Sequence, residues 1–97
     1  MKPIKKIEII TPSIKLPELM SILDQNGIRG YTVIHASVGK GTRGMAYDDD
    51  LVGTSGNDYL FTLCTEEEVN LLIPIIKPLL VTYGGIFLIS DVVVVTR

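Results

Sequence analysis

Residues 30–68, GYTVIHASVGKGTRGMAYDDDLVGTSGNDYLFTLCTEEE, decide the fold. Tyr31, Thr32, Val33 and Ile34 are strong strand formers within a strand expected over Gly30–Val38. Asp58–Cys64, with Tyr59, Leu60, Phe61 and Leu63, returns to the same chemistry. Between these runs, Gly39–Asn57 holds five glycines, three consecutive aspartates and almost no periodicity, which predicts a long flexible loop at about 40–57. After the second strand, Thr65 can cap a helix and Glu68 completes a capping box. Glu66, Glu67 and Glu68 also suit the positive end of the helix dipole.

Outward from this stretch the pattern extends in both directions. On the N-terminal side, Ile7–Ile10 reads as a strand, broken by Thr11, Pro12 and Ser13. Pro17 suits a first helical turn, where its missing N–H costs nothing, and Leu19, Met20, Ile22 and Leu23 repeat at helical spacing. Asn26 and Gly27 supply the stop. On the C-terminal side the second helix runs over Val69–Thr82, where Pro74 and Pro78, four residues apart on one face, predict a kink. Tyr83-Gly84-Gly85 ends it, and Ile86–Val95 is a β-branched, apolar last strand.

The order βαββαβ is that of the ferredoxin-like α+β fold, an antiparallel four-stranded sheet with two helices on one face. Residues 1–97 leave room for a single domain. Its strands carry apolar residues at positions of both parities, so the face without helices also needs cover. Packing that face around a threefold axis supplies it, which predicts a trimer. The composition agrees: 46% of residues are hydrophobic and the mean hydropathy is +0.38, more than a lone small domain easily hides. A membrane span would need about 20 apolar residues in a row. Leu71–Val81 is interrupted by Pro74, Lys77 and Pro78, and no signal-peptide core follows the basic start at Met1–Lys6. A soluble cytoplasmic oligomer is expected.

Net charge is -2 and Trp is absent, so nucleic-acid binding has no electrostatic support. The single cysteine, Cys64, cannot form an internal disulfide and reads as a small buried hydrophobe. With one His and one Cys there is no plausible nucleophile–base set, which argues against an enzyme. Gly39-Lys40-Gly41-Thr42-Arg43 could bind phosphate through glycine amides, a hydroxyl and two cations, although a solvated turn accounts for it equally well. It lacks the spacing of a Walker A loop. Gly84-Gly85 reads as a helix stop whose second glycine would permit close approach by a ligand. Asp48, Asp49 and Asp50 read as solvated loop surface, with a partner-binding tip or a divalent metal as alternatives.

The joint spacing of Gly30-Tyr31-Thr32-Val33, Gly39-Lys40-Gly41-Thr42-Arg43, Asn57 and Tyr83-Gly84-Gly85-Ile86-Phe87 followed by Ser90 resembles the PII-like signalling proteins over essentially the whole chain. It is most similar to their carbon-acquisition branch, the bicarbonate-transporter regulators and carboxysome-associated relatives. The resemblance implies a trimer without a cofactor that binds AMP, ADP or cyclic AMP in inter-subunit clefts, with bicarbonate as a further ligand in some members. It implies a partner that is a membrane transporter or carbon-concentrating protein, with recruitment to the inner face of the membrane. It places phosphate at Gly84 and Gly85, more loosely at Ile86 and Phe87, and adenine at Thr32. The mechanism expected on this reading is ordering: bound phosphate pins Lys40 and Arg43 and shifts the loop Gly44–Gly56 to one conformation. The chain departs from nitrogen-regulating relatives in its shorter loop and in ending at Arg97 without further phosphate-binding arginines. It also lacks the C-terminal cysteine pair of many transporter regulators. A divalent-cation tolerance-type trimer is the alternative on the same fold. It would need soft or imidazole ligands, for which only His35 and Cys64 are present.

Overall fold

The computed structural model describes residues 2–37, 39–41, 44–46 and 56–96, with side chains over 3–35 and 56–96. Strand β1 spans Lys2–Pro12, far longer than its apolar run Ile7–Ile10. The extra length follows from its central place, since β1 is hydrogen-bonded on both sides and its basic start is carried along by pairing. A 3-10 turn at Ser13–Lys15 leads into helix α1, Leu16–Gln25. Pro17 lies in its first turn. Gly27 sits just past its end at φ +78°, the left-handed conformation that closes helices and that glycine adopts without strain.

Strand β2 is Thr32–Ser37, followed by two short strands, β3 at Gly39–Gly41 and β4 at Gly44–Ala46. The expected loop is thus not irregular throughout: β3 and β4 pair in antiparallel register, Lys40 opposite Met45. Strand β5 covers Asn57–Cys64, helix α2 Glu66–Tyr83 and strand β6 Ile86–Val94. The main sheet has the order β2-β5-β1-β6, all antiparallel. With two helices it forms the ferredoxin-like arrangement.

Both halves of the capping box at α2 are present. The Glu68 amide donates to Thr65 Oγ1 at 3.1 Å, and the Thr65 amide donates to Glu68 Oε1 at 2.8 Å. The helix runs unbroken through Pro74 and Pro78. Both prolines lie on its exposed side, where water can satisfy the carbonyls that they leave without an N–H donor. The opposite side buries Val69, Leu72, Ile76 and Leu80.

Alternation along the strands sorts the sheet into two faces. Ile7, Ile9, Leu60 and Cys64 point to the helices and pack with Leu16, Leu19, Leu23 and Leu72 in the core. Each such side chain contributes about 1.5–3 kcal/mol of burial. The other face carries rows of opposed residues, three of which concern the site. These are Ile34–Tyr59–Ile10–Ile86, then Thr32–Phe61–Glu8–Leu88, then Leu63–Lys6–Ser90. No helix covers them, and Ile34, Ile86 and Leu88 are each at least half exposed. The face expected to need cover is therefore open in the single chain, apolar along the Ile34–Ile86 row and mixed with Glu8, Lys6 and Ser90 beyond it.

Candidate functional site

Thr32, at the start of β2, faces Phe61 across the β2–β5 pair. A shallow pocket of about 300 Å³ opens beside it, lined by Gly30, Tyr31, Thr32, Phe61, Thr62 and Leu63. Alternation brings Phe61 and Leu63 to the open face while Thr62 turns inward and is buried. From there Thr62 Oγ1 donates to the Gly30 carbonyl, tying the segment before β2 to β5 and fixing the pocket floor. An aromatic ring, an aliphatic wall and a hydroxyl at one edge suit a flat, mainly apolar ligand with a polar rim.

The ring of this pocket has a charged neighbour. Lys6 Nζ stands 5.1 Å from the centroid of Phe61 and 3.9 Å from Glu8 Oε2. That carboxylate oxygen accepts a 2.6 Å hydrogen bond from Tyr59 Oη. The bond to Glu8 is the main cause that pushes the Tyr59 phenol up to about 12, with burial and the Glu8 charge adding to it. Tyr59 and Phe61 lie with ring centroids 6.2 Å apart. Lys6, Phe61 and Leu63 did not figure among the expected site residues. Strand alternation puts Phe61 and Leu63 on one face, but that this face meets Thr32 and Lys6 depends on register.

The remaining expected residues fall elsewhere. Gly39 and Gly41 lie in β3, opposite Ala46 and Gly44, so their backbone belongs to a strand ladder rather than to a free glycine turn. Lys40 shares that ladder by its backbone. Thr42 and Arg43, and with them Asp48, Asp49 and Asp50, lie outside the described residues. Gly84 caps α2, its amide donating to the Leu80 carbonyl at 2.7 Å. Gly85 has φ +129°, and a Cβ there would collide with the Ile10 carbonyl oxygen. The fold itself therefore requires glycine at 85. Ile86 is half exposed on the open face, whereas Phe87 packs against the core. Thr32 is on β2 and the Gly84–Gly85 pair leads into β6, so the two groups occupy opposite edges of the sheet, three strand spacings or about 14 Å apart. One chain does not bring them together.

His35 Nδ1 lies 3.4 Å from Asp58 Oδ2, with His35 exposed and Asp58 buried. Cys64 is fully buried at the far end of β5, and burial pushes its thiol up. The two soft ligands are thus apart. Among the described residues, no three His, Cys, Asp or Glu side chains are grouped to hold a metal ion. No helix is long and apolar enough to cross a membrane among those residues.

Known proteins share this architecture. The family model for nitrogen regulatory protein P-II matches residues 4–97. CPII, a nitrogen regulatory PII-like protein from Thiomonas intermedia solved with ADP, AMP and bicarbonate, superposes with a TM-score of 0.87. Identity is 26%, over 94% of this chain and 87% of that one. CPII bound to ADP and bicarbonate gives a TM-score of 0.82 at 28% identity, with the same coverage of 94% and 87%. A Thermus thermophilus protein described as PII-like gives 0.76 at 26% identity, over 96% and 90%. No curated protein sequence matches the chain.

Proposed function

Since the chain belongs to the nitrogen regulatory protein P-II family, we propose that it senses adenine nucleotides and uses them to regulate inorganic-carbon uptake or carboxysome-linked metabolism. The observation that carries this reading is the pocket beside Thr32, whose Phe61 ring and Leu63 wall suit adenine. CPII, with its bound ADP, AMP and bicarbonate, supports the ligand class. The two groups of candidate residues on opposite sheet edges fit a ligand held between chains. A trimer built on the open face supplies such clefts, with Thr32 from one chain and Gly84–Gly85 from its neighbour.

The mechanism is ordering rather than turnover. Ligand phosphate engages Lys40 and Arg43, and the segment between β3 and β5 takes one conformation that a partner recognises. The partner in this reading is a membrane transporter or a carbon-concentrating protein, which draws a cytoplasmic trimer to the inner face of the membrane.

Isothermal titration with AMP, ADP, ATP and cyclic AMP, with and without bicarbonate, tests it. Micromolar binding near one ligand per chain is the expected result, and the ranking names the signal. Absence of binding to all four, or rapid release of phosphate from them, overturns the reading. Tight copper or zinc binding in place of nucleotide would favour the cation-tolerance alternative.

A further inference from the structure

We infer that Lys6 and Glu8 form an ion pair between chains, Lys6 of one copy meeting Glu8 of the next, an inference that rests on the threefold packing of the open face in the reading above. Both residues lie on β1, the strand paired on both sides, and both belong to the rows of the open face. Glu8 stands between Phe61 and Leu88, and Lys6 between Leu63 and Ser90. Packing of that face on a second copy therefore encloses both charges.

Neither charge is fully satisfied within its own chain. Glu8 Oε2 accepts from Tyr59 Oη at 2.6 Å, and Lys6 Nζ stands 3.9 Å from the same oxygen, beyond hydrogen-bond distance. Among the described residues, Glu8 Oε1 accepts no hydrogen bond and the Lys6 ammonium donates none. The side chains of Lys6 and Glu8 are 31% and 28% exposed, so water still reaches both in the single chain. Covering the face removes that water, and a buried charge without a hydrogen-bonded partner is strongly destabilising. Phe61, Leu63 and Leu88 beside them offer no charge. The rows bring one cation and one anion to the face of each copy, so the copy that covers it supplies the missing partner for both.

Closed threefold symmetry repeats one such pair at every interface. The pairing also selects a register. Lys6 and Glu8 occupy adjacent rows, two residues apart along β1, so neighbouring sheets must cross with the Lys6 row of one on the Glu8 row of the next. Packing like row on like row would set cation on cation and anion on anion. An apolar face alone makes no such distinction. Tyr59 takes part by holding Oε2, which leaves Oε1 as the acceptor for the next chain.

Sedimentation velocity over a concentration series tests this on the parent, on Lys6→Glu and Glu8→Lys, and on the double exchange that carries both. Each single reversal is expected to disperse the trimer, and the double exchange to restore it. An equimolar mixture of the two single variants separates pairing between chains from pairing within one, since each of its chains holds two like charges and only the other kind complements them. In a ring of three the mixture restores the pair at two interfaces, so partial recovery of trimer is the expected result. A mixture of variants folded by circular dichroism that is no more associated than its components overturns the inference. Lys6→Gln and Glu8→Gln place no like charges together and serve where a reversal fails to fold. Each is expected to raise the concentration at half-assembly about tenfold or more, the worth of a charge-assisted bond, and no change in either overturns the inference as well. A parent that sediments as a monomer overturns the threefold packing itself, a result distinct from variants that leave an intact trimer unmoved.

Discussion

Gly85 shows how a single residue can be demanded by the backbone. At φ +129° any side chain is strained, and here a Cβ would also meet the Ile10 carbonyl. Gly85→Ala is expected to destabilise the fold by about 2 kcal/mol or more, read from urea unfolding; an unchanged midpoint would mean that the β1–β6 junction yields. In the sequence this glycine is visible only as a helix stop, because the carbonyl that excludes a side chain comes from Ile10, 75 positions earlier. Tyr59 gives a pH prediction. Its pKa rises from 10 unfolded to about 12 folded, so the neutral phenol is favoured by folding. The stability it contributes is complete below pH 10 and is lost as pH climbs through 12. Near-UV absorbance should show a tyrosinate component near pH 12 that vanishes in Tyr59→Phe. A component near pH 12 that persists in the variant would belong to another tyrosine and remove Tyr59 as its source.

Among the elements, α2 is the one whose local chemistry and tertiary setting disagree. Thr65 and Glu68 announce its start, and the capping box forms as their spacing demands. Pro74 and Pro78 argue for an irregular or kinked helix, and the helix carries both without being interrupted. Burial of Val69, Leu72, Ile76 and Leu80 outweighs two missing hydrogen bonds on the wet side. Replacing either proline with Ala should therefore raise stability by about 1–3 kcal/mol, seen as a higher Tm. A lower Tm would show that the prolines shape the packing of α2. Strand β1 errs in the opposite direction. Its apolar core Ile7–Ile10 marks the element, but its true length is set by two neighbouring strands that local composition cannot name. Thr32 and Phe61 are likewise each recognisable as strand residues, while their meeting is a matter of register. The pocket was for that reason only partly legible, through Thr32 alone.

For the whole molecule, the open face is the decisive feature. Ile34, Ile86 and Leu88 are apolar and half exposed across a sheet with one covered side. The excess of apolar residues in the composition points to the same need, and both hold for any threefold packing of that face. Leu88→Glu, placed beside Glu8 in its row, should disperse the assembly, with sedimentation velocity reporting trimer for the parent and smaller species for the variant. A parent that sediments as a monomer would remove the proposed cleft together with the trimer.

Thr32 and the Gly84–Gly85 pair, on opposite edges of one sheet, carry a last consequence. A small molecule that bridges them joins two chains, and mass action then makes it an adhesive as well as a message. In the proposed trimer, each occupied cleft would add RT ln(1 + [L]/Kd) to the cohesion of the assembly. Dilute protein would ask for more nucleotide to reach half-saturation, and abundant nucleotide would hold together an assembly that dilution alone would scatter. A protein of the proposed kind would report its own abundance along with that of its ligand.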